Sequence, residues 1–273
     1  MQFVNLNWFL ALAVALILFI ACTILYKRFK GNKAILWFLA IIMFAVLLLF
    51  PLTYFSKALS QIPIYCSFRA MPYSEILVSF CAPIIALISV SLSKIMHQKI
   101  FKIYSQWVMC FLCLAFVSIP YIKPAILPLN PAMFRDEYID GVCMQSTSST
   151  CGPACLVTVF DQFGKKDTEL SIAKHVFSCS RGTENWYLAR YAQQQGLRYK
   201  FSFLENISEV KTPAIIGVGL GRNGHFITVL KSENGLYTVG DPLVGLEKLT
   251  ATELLQKYSF TGFTLSFINA AHK

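Results

Sequence analysis

Acidic residues are scarce in this chain and almost missing from its first half. Across 273 residues, 14 Asp and Glu stand against 24 Lys and Arg. Before Lys123 a single acid, Glu75, faces nine basic residues, whereas from Lys123 onward fifteen basic residues face thirteen acidic ones. The net charge of +10 therefore belongs to the first half. The near-neutral second half carries no basic stripe and no nucleic-acid-binding motif, which excludes a nucleic-acid partner. There is no Gly-x-x-x-x-Gly-Lys-Ser/Thr loop, which excludes an ATP site of that kind. Internal repeats and low-complexity tracts are also missing.

The first half lacks polar helix faces as well. Four runs, at 8–26, 34–53, 76–92 and 103–122, are apolar all round, where a helix on the surface of a soluble core would show a polar stripe. Each is about 17 to 20 residues long, enough at 1.5 Å per residue to cross a hydrocarbon layer of roughly 30 Å. Four transmembrane helices are predicted over residues 1–122, so the lipid bilayer is one partner. Pro51, Pro83 and Pro120 fall in or at the ends of these runs, where membrane helices tolerate proline. The third run is the shortest and carries Pro83. Lys27, Arg28, Lys30 and Lys33 crowd the first loop, and Lys94, Lys99 and Lys102 the third. The second loop has only Lys57 and Arg69, and residues 1–7 have no basic side chain. The positive-inside rule places the first and third loops in the cytoplasm and both termini outside it. The expected location is a bacterial inner or plasma membrane, multi-pass, with an extracytoplasmic C-terminal domain. The first run lacks a basic leading segment and a small-residue cleavage site, so it does not read as a removable signal peptide.

The second half has a different composition. Pro120, Pro124, Pro128 and Pro131 read as a stiff, extended connector over 123–137, followed by a domain over 138–273. At its start stand Gln145, then Cys151-Gly152-Pro153-Ala154-Cys155-Leu156, then an amphipathic run to Phe163 and Gly164. This pattern puts Cys151 at a helix N-terminus, where unpaired N–H groups and partial positive charge favour thiolate over thiol. Pro153 fits the first turn, and Gly152 lets a substrate approach the backbone closely. Gln145 lies six residues upstream, so its loop can aim a side-chain amide at the carbonyl that Cys151 attacks. With the Cys151 backbone N–H it would form an oxyanion hole.

A base and an orienting acid come later in the chain. His225 opens the apolar run 226–230; Glu233, Asn234 and Gly235 supply a turn, and 236–239 returns as a strand ending at Asp241. Paired residues in an antiparallel hairpin keep a constant index sum, which sets His225 opposite Asp241 to within a residue or two. Asp241 would fix the imidazole tautomer while the other ring nitrogen faces Cys151. Helical spacing at 168–177 and 184–195, strand-like segments at 197–203, 214–220, 226–230, 236–239 and 263–268, and a capping-box signature from Thr250 to Glu253 complete an α+β order with an antiparallel sheet.

These residues resemble the papain-like double-glycine peptidases, family thirty-nine of the cysteine peptidases, which in bacteria trim leader peptides from bacteriocins and related precursors. The likeness covers roughly 138–268 and rests on Gln145, the block from Cys151 to Leu156, His225 with its strand, and Asp241-Pro242. It implies a papain-like fold, a thiol peptidase without a cofactor, and Cys151 as nucleophile, His225 as base, Asp241 as orienter and Gln145 as oxyanion donor. It also implies a peptide or protein substrate cut after small residues such as Gly-Gly, and a separate exporter as partner. The chain departs from the pattern at Thr150, where transporter-linked members often carry an acid, and in placing the domain after the membrane segments. The alternatives are a non-catalytic peptide-binding accessory of an exporter and a peptidoglycan amide hydrolase.

The remaining cysteines and aromatics have plainer readings. Cys22, Cys66, Cys81, Cys110 and Cys113 lie in or near the spans and read as small apolar residues. Cys155 packs one turn below Cys151. Cys143 and Cys179 could bridge if the domain faces an oxidising compartment. No zinc site is expected, since the cysteines of the domain lack a Cys-x2-Cys pair. His175 reads as buried within its helix, and Trp186 and Tyr187 as either groove-lining or core aromatics.

Overall fold

The computed structural model describes residues 3–28, 34, 37, 38, 41, 61–220 and 223–269. They divide into two compact units, Asn5–Leu59 with Tyr73–Lys123, and Met1–Val4 with Ser60–Pro72 and Pro124–Lys273. In chain order the first helices are α1 (Asn7–Arg28), α2 (Pro63–Ala70), a 3-10 stretch Ser74–Cys81 that runs into α3 (Ala82–Ile95), and α4 (Lys99–Ile126).

Three of the four expected spans are present as helices long and apolar enough to cross a membrane: Asn7–Arg28, Ser74–Ile95 and Lys99–Ile126. The expected span over 34–53 lies almost wholly outside the described residues. Pro83 sits in the first turn of α3, at the junction with the preceding 3-10 stretch, where its fixed φ suits a helical start. Small residues let α1 approach this helix closely, since Ala11 and Ala15 are buried and the Ser79 hydroxyl donates to the Ala11 carbonyl at 2.8 Å. Close packing of small residues with a hydroxyl donor is how apolar helices adhere where lipid supplies no hydrophobic drive.

The extended connector expected over 123–137 is corrected in two ways. Helix α4 continues through Pro120 and Pro124 to Ile126, each proline removing only one helical donor. Residues 127–137 are then tied down rather than left as a free spacer. Leu129 is buried with Phe3 and Ala173, Ser180 N–H donates to the Leu127 carbonyl at 3.0 Å, and Arg135 N–H donates to the Ser146 hydroxyl at 3.0 Å. An apolar anchor and backbone bonds hold the segment against the domain.

The domain itself comprises β1 (Tyr138–Ile139), β2 (Val142–Cys143), α5 (Cys151–Gln162), α6 (Glu169–His175), α7 (Asn185–Gln194), β3 (Leu197–Phe203), β4 (Ala214–Leu220), β5 (Asn223–Glu233), β6 (Leu236–Asp241), β7 (Gly245–Thr250), α8 (Ala251–Lys257) and β8 (Ser259–Asn269). The last six strands form one sheet in the order β3-β8-β4-β5-β6-β7, antiparallel throughout. This is the expected α+β architecture. Asn234 and Gly235 both have positive φ, 53° and 76°, the geometry of a two-residue hairpin turn that keeps the natural strand twist. One face of the sheet buries Ile216, Val218, Ile227, Val229, Tyr237 and Val239 with Leu254 of α8. Thr250 and Glu253 make the expected reciprocal capping box that starts α8.

The inter-span segment α2 folds with the domain. Arg190 of α7 is buried and donates to the Arg69 and Ala70 carbonyls at 2.7 and 3.1 Å, satisfying acceptors that the end of a helix leaves open. The Arg69 guanidinium lies 4.4 Å from the Trp186 ring centre. Trp186 and Tyr187 are thus core aromatics that do not line a groove, and both are at least 96% buried.

Candidate active site

Helix α5 sets the first component. Residues Gly152 to Phe160 are all buried, so the helix is fixed on every side and its N-terminal residue Cys151, only partly covered, has a defined position. The role expected for Gly152 changes. A Cβ there would come 3.1 Å from Leu188 Cδ1 and 3.5 Å from both Phe226 Cδ2 and Thr183 Cβ, so the glycine serves internal packing against α7 and β5 rather than substrate approach. Below it, the Cys155 thiol donates to the Phe226 carbonyl at 3.2 Å. Its burial, with Cys151 and Asp241 nearby, keeps it a thiol, as a packing cysteine should be.

The hairpin of β5 and β6 sets the second. Pairing runs Glu233↔Leu236 at the turn, slips by one residue between Val229 and Lys231, and continues as Thr228↔Gly240. Beyond the slip the index sum places Asp241 opposite Ile227, so His225 is its diagonal neighbour on the same face. His225 and Asp241 are both buried, and Nε2 lies 2.8 Å from Asp241 Oδ1. The Cys151 thiol is within hydrogen-bonding reach of the same imidazole, which leaves Nδ1 as the nitrogen for sulfur. Burial alone would lower the His225 pKa, but the hydrogen bonds to Asp241 and Cys151 and their charges outweigh it and hold it at about 9. Asp241 shows the converse. Burial raises it, yet hydrogen bonds from His225, the Leu243 N–H and the Tyr258 hydroxyl hold it below the ordinary carboxylate range; the Tyr258 hydroxyl lies 2.7 Å from Oδ2. Tyr258 was not legible as a site residue, since in sequence it is merely the end of a short helix.

Gln145 supplies the third component. Its backbone N–H donates to the Pro242 carbonyl at 3.0 Å, which ties its loop to the residue after Asp241. One side-chain N–H donates to the Thr147 carbonyl at 2.8 Å, and Oε1 is buried without a partner. The structure therefore gathers Gln145, Cys151, His225 and Asp241 at the N-terminal end of α5. The Cys143 to Cys179 bridge is not formed. Both are buried thiols outside any disulfide, Cys143 on β2 against its neighbour Met144 and Cys179 in a turn closed on the Gly182 carbonyl, so each is occupied locally. His175, expected to be buried, is exposed and stacks on Tyr191 with ring centres 4.7 Å apart.

The model of the Peptidase C39 family matches residues 141–271. An uncharacterized protein of Methanothermobacter thermautotrophicus is 29% identical over 124 residues, spanning 45% of this chain and 85% of that protein. The probable functional amyloid protease FapD of Pseudomonas aeruginosa is 22% identical over 135 residues, spanning 46% and 60%. Among solved structures, the peptidase domain of Streptococcus ComA, a bifunctional ABC transporter of quorum sensing, aligns at 21% identity and a TM-score of 0.41 over 46% of this chain and 96% of its own. A double-glycine-motif protease from an AMS/PCAT transporter, solved with its leader peptide, aligns at 23% and 0.42 over 50% and 94%. The C-terminal domain is a cysteine peptidase. The match to the Peptidase C39 family spans this domain, 131 of the 273 residues.

Proposed function

We propose that this protein is a membrane-anchored peptidase that cleaves peptide bonds through an acyl-enzyme on Cys151. The carrying observation is the 2.8 Å pair of His225 and Asp241 with the Cys151 thiol in reach of the same ring at the start of a buried helix. In this reading Cys151 attacks the scissile carbonyl as thiolate. The His225 imidazolium then protonates the departing amine, and neutral His225 next takes a proton from the water that releases the acyl group. Asp241 holds the tautomer. The Cys151 N–H, which has no helical acceptor, and the second N–H of Gln145 stabilise the oxyanion. The family suggests substrates cut after Gly-Gly, in exported peptides or leaders, with a separate exporter delivering or removing them. Full-length protein in detergent should release coumarin from a Gly-Gly coumarin amide. Saturable binding of Gly-Gly peptides without any cleavage would sink the reading and leave a peptide-binding accessory in its place.

Gln145→Ala should lower kcat by about 10²- to 10³-fold with little change in KM, because an oxyanion donor acts on charge that appears only in the transition state. If KM alone moves, Gln145 binds ground-state substrate and is no oxyanion donor.

The domain is proposed to lie outside the cytoplasm. The loop charges set the side, and the make-up of the domain's compact unit bears on the number of crossings. Met1–Val4, Ser60–Pro72 and Pro124–Lys273 fold together, which asks for all three on the same side of the membrane and so for an even number of crossings between them. An impermeant thiol reagent should then label a cysteine engineered at exposed Lys166 in intact cells. Protection of that position until the cells are opened would put the domain in the cytoplasm.

A further inference from the structure

We propose that Glu169 is a positioning residue of the active site, a buried carboxylate that fixes the distance between Gln145 and Cys151. This rests on the reading of Gln145 as oxyanion donor. Glu169 opens α6, a helix that contributes no side chain to the triad, and is fully buried. Both its oxygens accept from the Ser146 N–H, at 2.9 and 3.2 Å, and Oε2 also accepts the Ser146 hydroxyl. The Thr150 hydroxyl also faces it, its proton shared with the Thr147 carbonyl at 3.1 Å. Ser146 is the neighbour of Gln145 and Thr150 the neighbour of Cys151, so the carboxylate holds the loop at its Gln145 end and shares the hold on its Cys151 end with the Thr147 carbonyl.

The loop between those ends closes on itself. The Gln145 side chain donates to the Thr147 carbonyl at 2.8 Å, the Thr150 N–H donates to the same carbonyl at 3.2 Å, and the Thr147 N–H donates to the Thr150 hydroxyl at 3.1 Å. Among the described residues no Lys, Arg or His makes an ion pair with Glu169. Its backbone is fixed in turn, the Glu169 N–H donating to Asp136 Oδ1 at 2.9 Å. Burying a carboxylate without a cation is costly unless several donors satisfy it; burial raises its pKa against the hydrogen bonds from Ser146 and Thr150. A residue serving packing alone would be apolar at such a site. A carboxylate gathers N–H and O–H donors from both ends of a loop that has few apolar side chains to anchor it.

The consequence is kinetic. A donor displaced by about 1 Å can cost on the order of 10²-fold in rate, while a substrate bound elsewhere in the cleft is unaffected. Glu169→Ala should therefore lower kcat by roughly 10- to 100-fold on the Gly-Gly coumarin amide with KM within about twofold. The decisive readout is a cycle with Gln145→Ala in full-length protein. Once Gln145 is gone, Glu169 has no donor left to place, so Glu169→Ala should cost less than about threefold more in that background. Glu169→Gln keeps an acceptor for the Ser146 N–H but not for both hydroxyls. It should lose a few-fold, again only when Gln145 is present, and it carries the test if the alanine variant does not fold. Losses that multiply in either double variant would overturn the positioning role while leaving Gln145 as donor. If Gln145→Ala alone leaves kcat unchanged, the oxyanion reading itself fails and the positioning role falls with it.

Discussion

Cys151→Ala is expected to remove peptide hydrolysis, by about 10⁶-fold in kcat, and His225→Ala to do nearly the same, because nucleophile and base act as one unit. The double variant should be no slower than either single one. Both proteins should remain folded. Cys151 is partly exposed at a helix start, and truncating it opens no sealed cavity. His225→Ala leaves Asp241 buried with two of its three donors, the Leu243 N–H and the Tyr258 hydroxyl. Turnover by a well-folded Cys151→Ala protein within tenfold of wild type, after titration of active sites, would end the thiol mechanism.

Asp241→Asn should reduce kcat by up to about 10⁴-fold and leave measurable activity, since the acid orients and never transfers the proton. The pH profile gives a second readout. With His225 held at about 9, kcat/KM of the wild type should fall as pH rises through that value, because the imidazolium is lost. Removing the carboxylate leaves burial to pull the imidazole down, so the alkaline limb should move to lower pH in Asp241→Asn. Stability has the same sign. A folded-state pKa above the unfolded 6.5 means that the His225 contribution is complete below 6.5 and is lost as pH climbs through about 9. Asp241, held low, contributes above its unfolded 3.8 and loses that contribution as pH falls through its lower folded value. An alkaline limb that stays in place in Asp241→Asn would separate Asp241 from His225 function.

The catalytic constellation was legible because its chemistry is written in local patterns. A cysteine before a buried helix and a His and Asp around an Asn-Gly turn are short-range signals, and hairpin pairing converts sequence distance into proximity. The slip between Val229 and Lys231 moved the pairing by no more than two residues, within what the turn allowed. The α+β order was legible for the same reason, with β3 and β4 at their expected bounds. Strand β7 was not, because it pairs only at the sheet edge and its Glu247 and Lys248 read as loop. Edge strands carry such charges to discourage further pairing. Glu169 was hidden in another way. In sequence it is an acid in the first turn of a capped helix, an ordinary place for one, and only the fold brings it to the loop between Gln145 and Cys151. The connector differs from expectation because prolines that mark extended chain in solution are tolerated within α4, and because Leu129 finds an apolar site against the domain.

Covalent capture tests most directly whether Cys151 is the nucleophile. Intact membranes carrying the full-length protein would be treated with a Gly-Gly peptide bearing a thiol-reactive electrophile, and the adduct mapped to a residue by mass spectrometry. None of the nine cysteines is in a disulfide, so the protein offers eight internal competitors. Stoichiometric modification of Cys151 alone is expected, abolished in Cys151→Ala and strongly slowed in His225→Ala. Labelling at Cys155, Cys143 or Cys179 with Cys151 untouched, or the same rate with and without His225, would contradict Cys151 as the nucleophile.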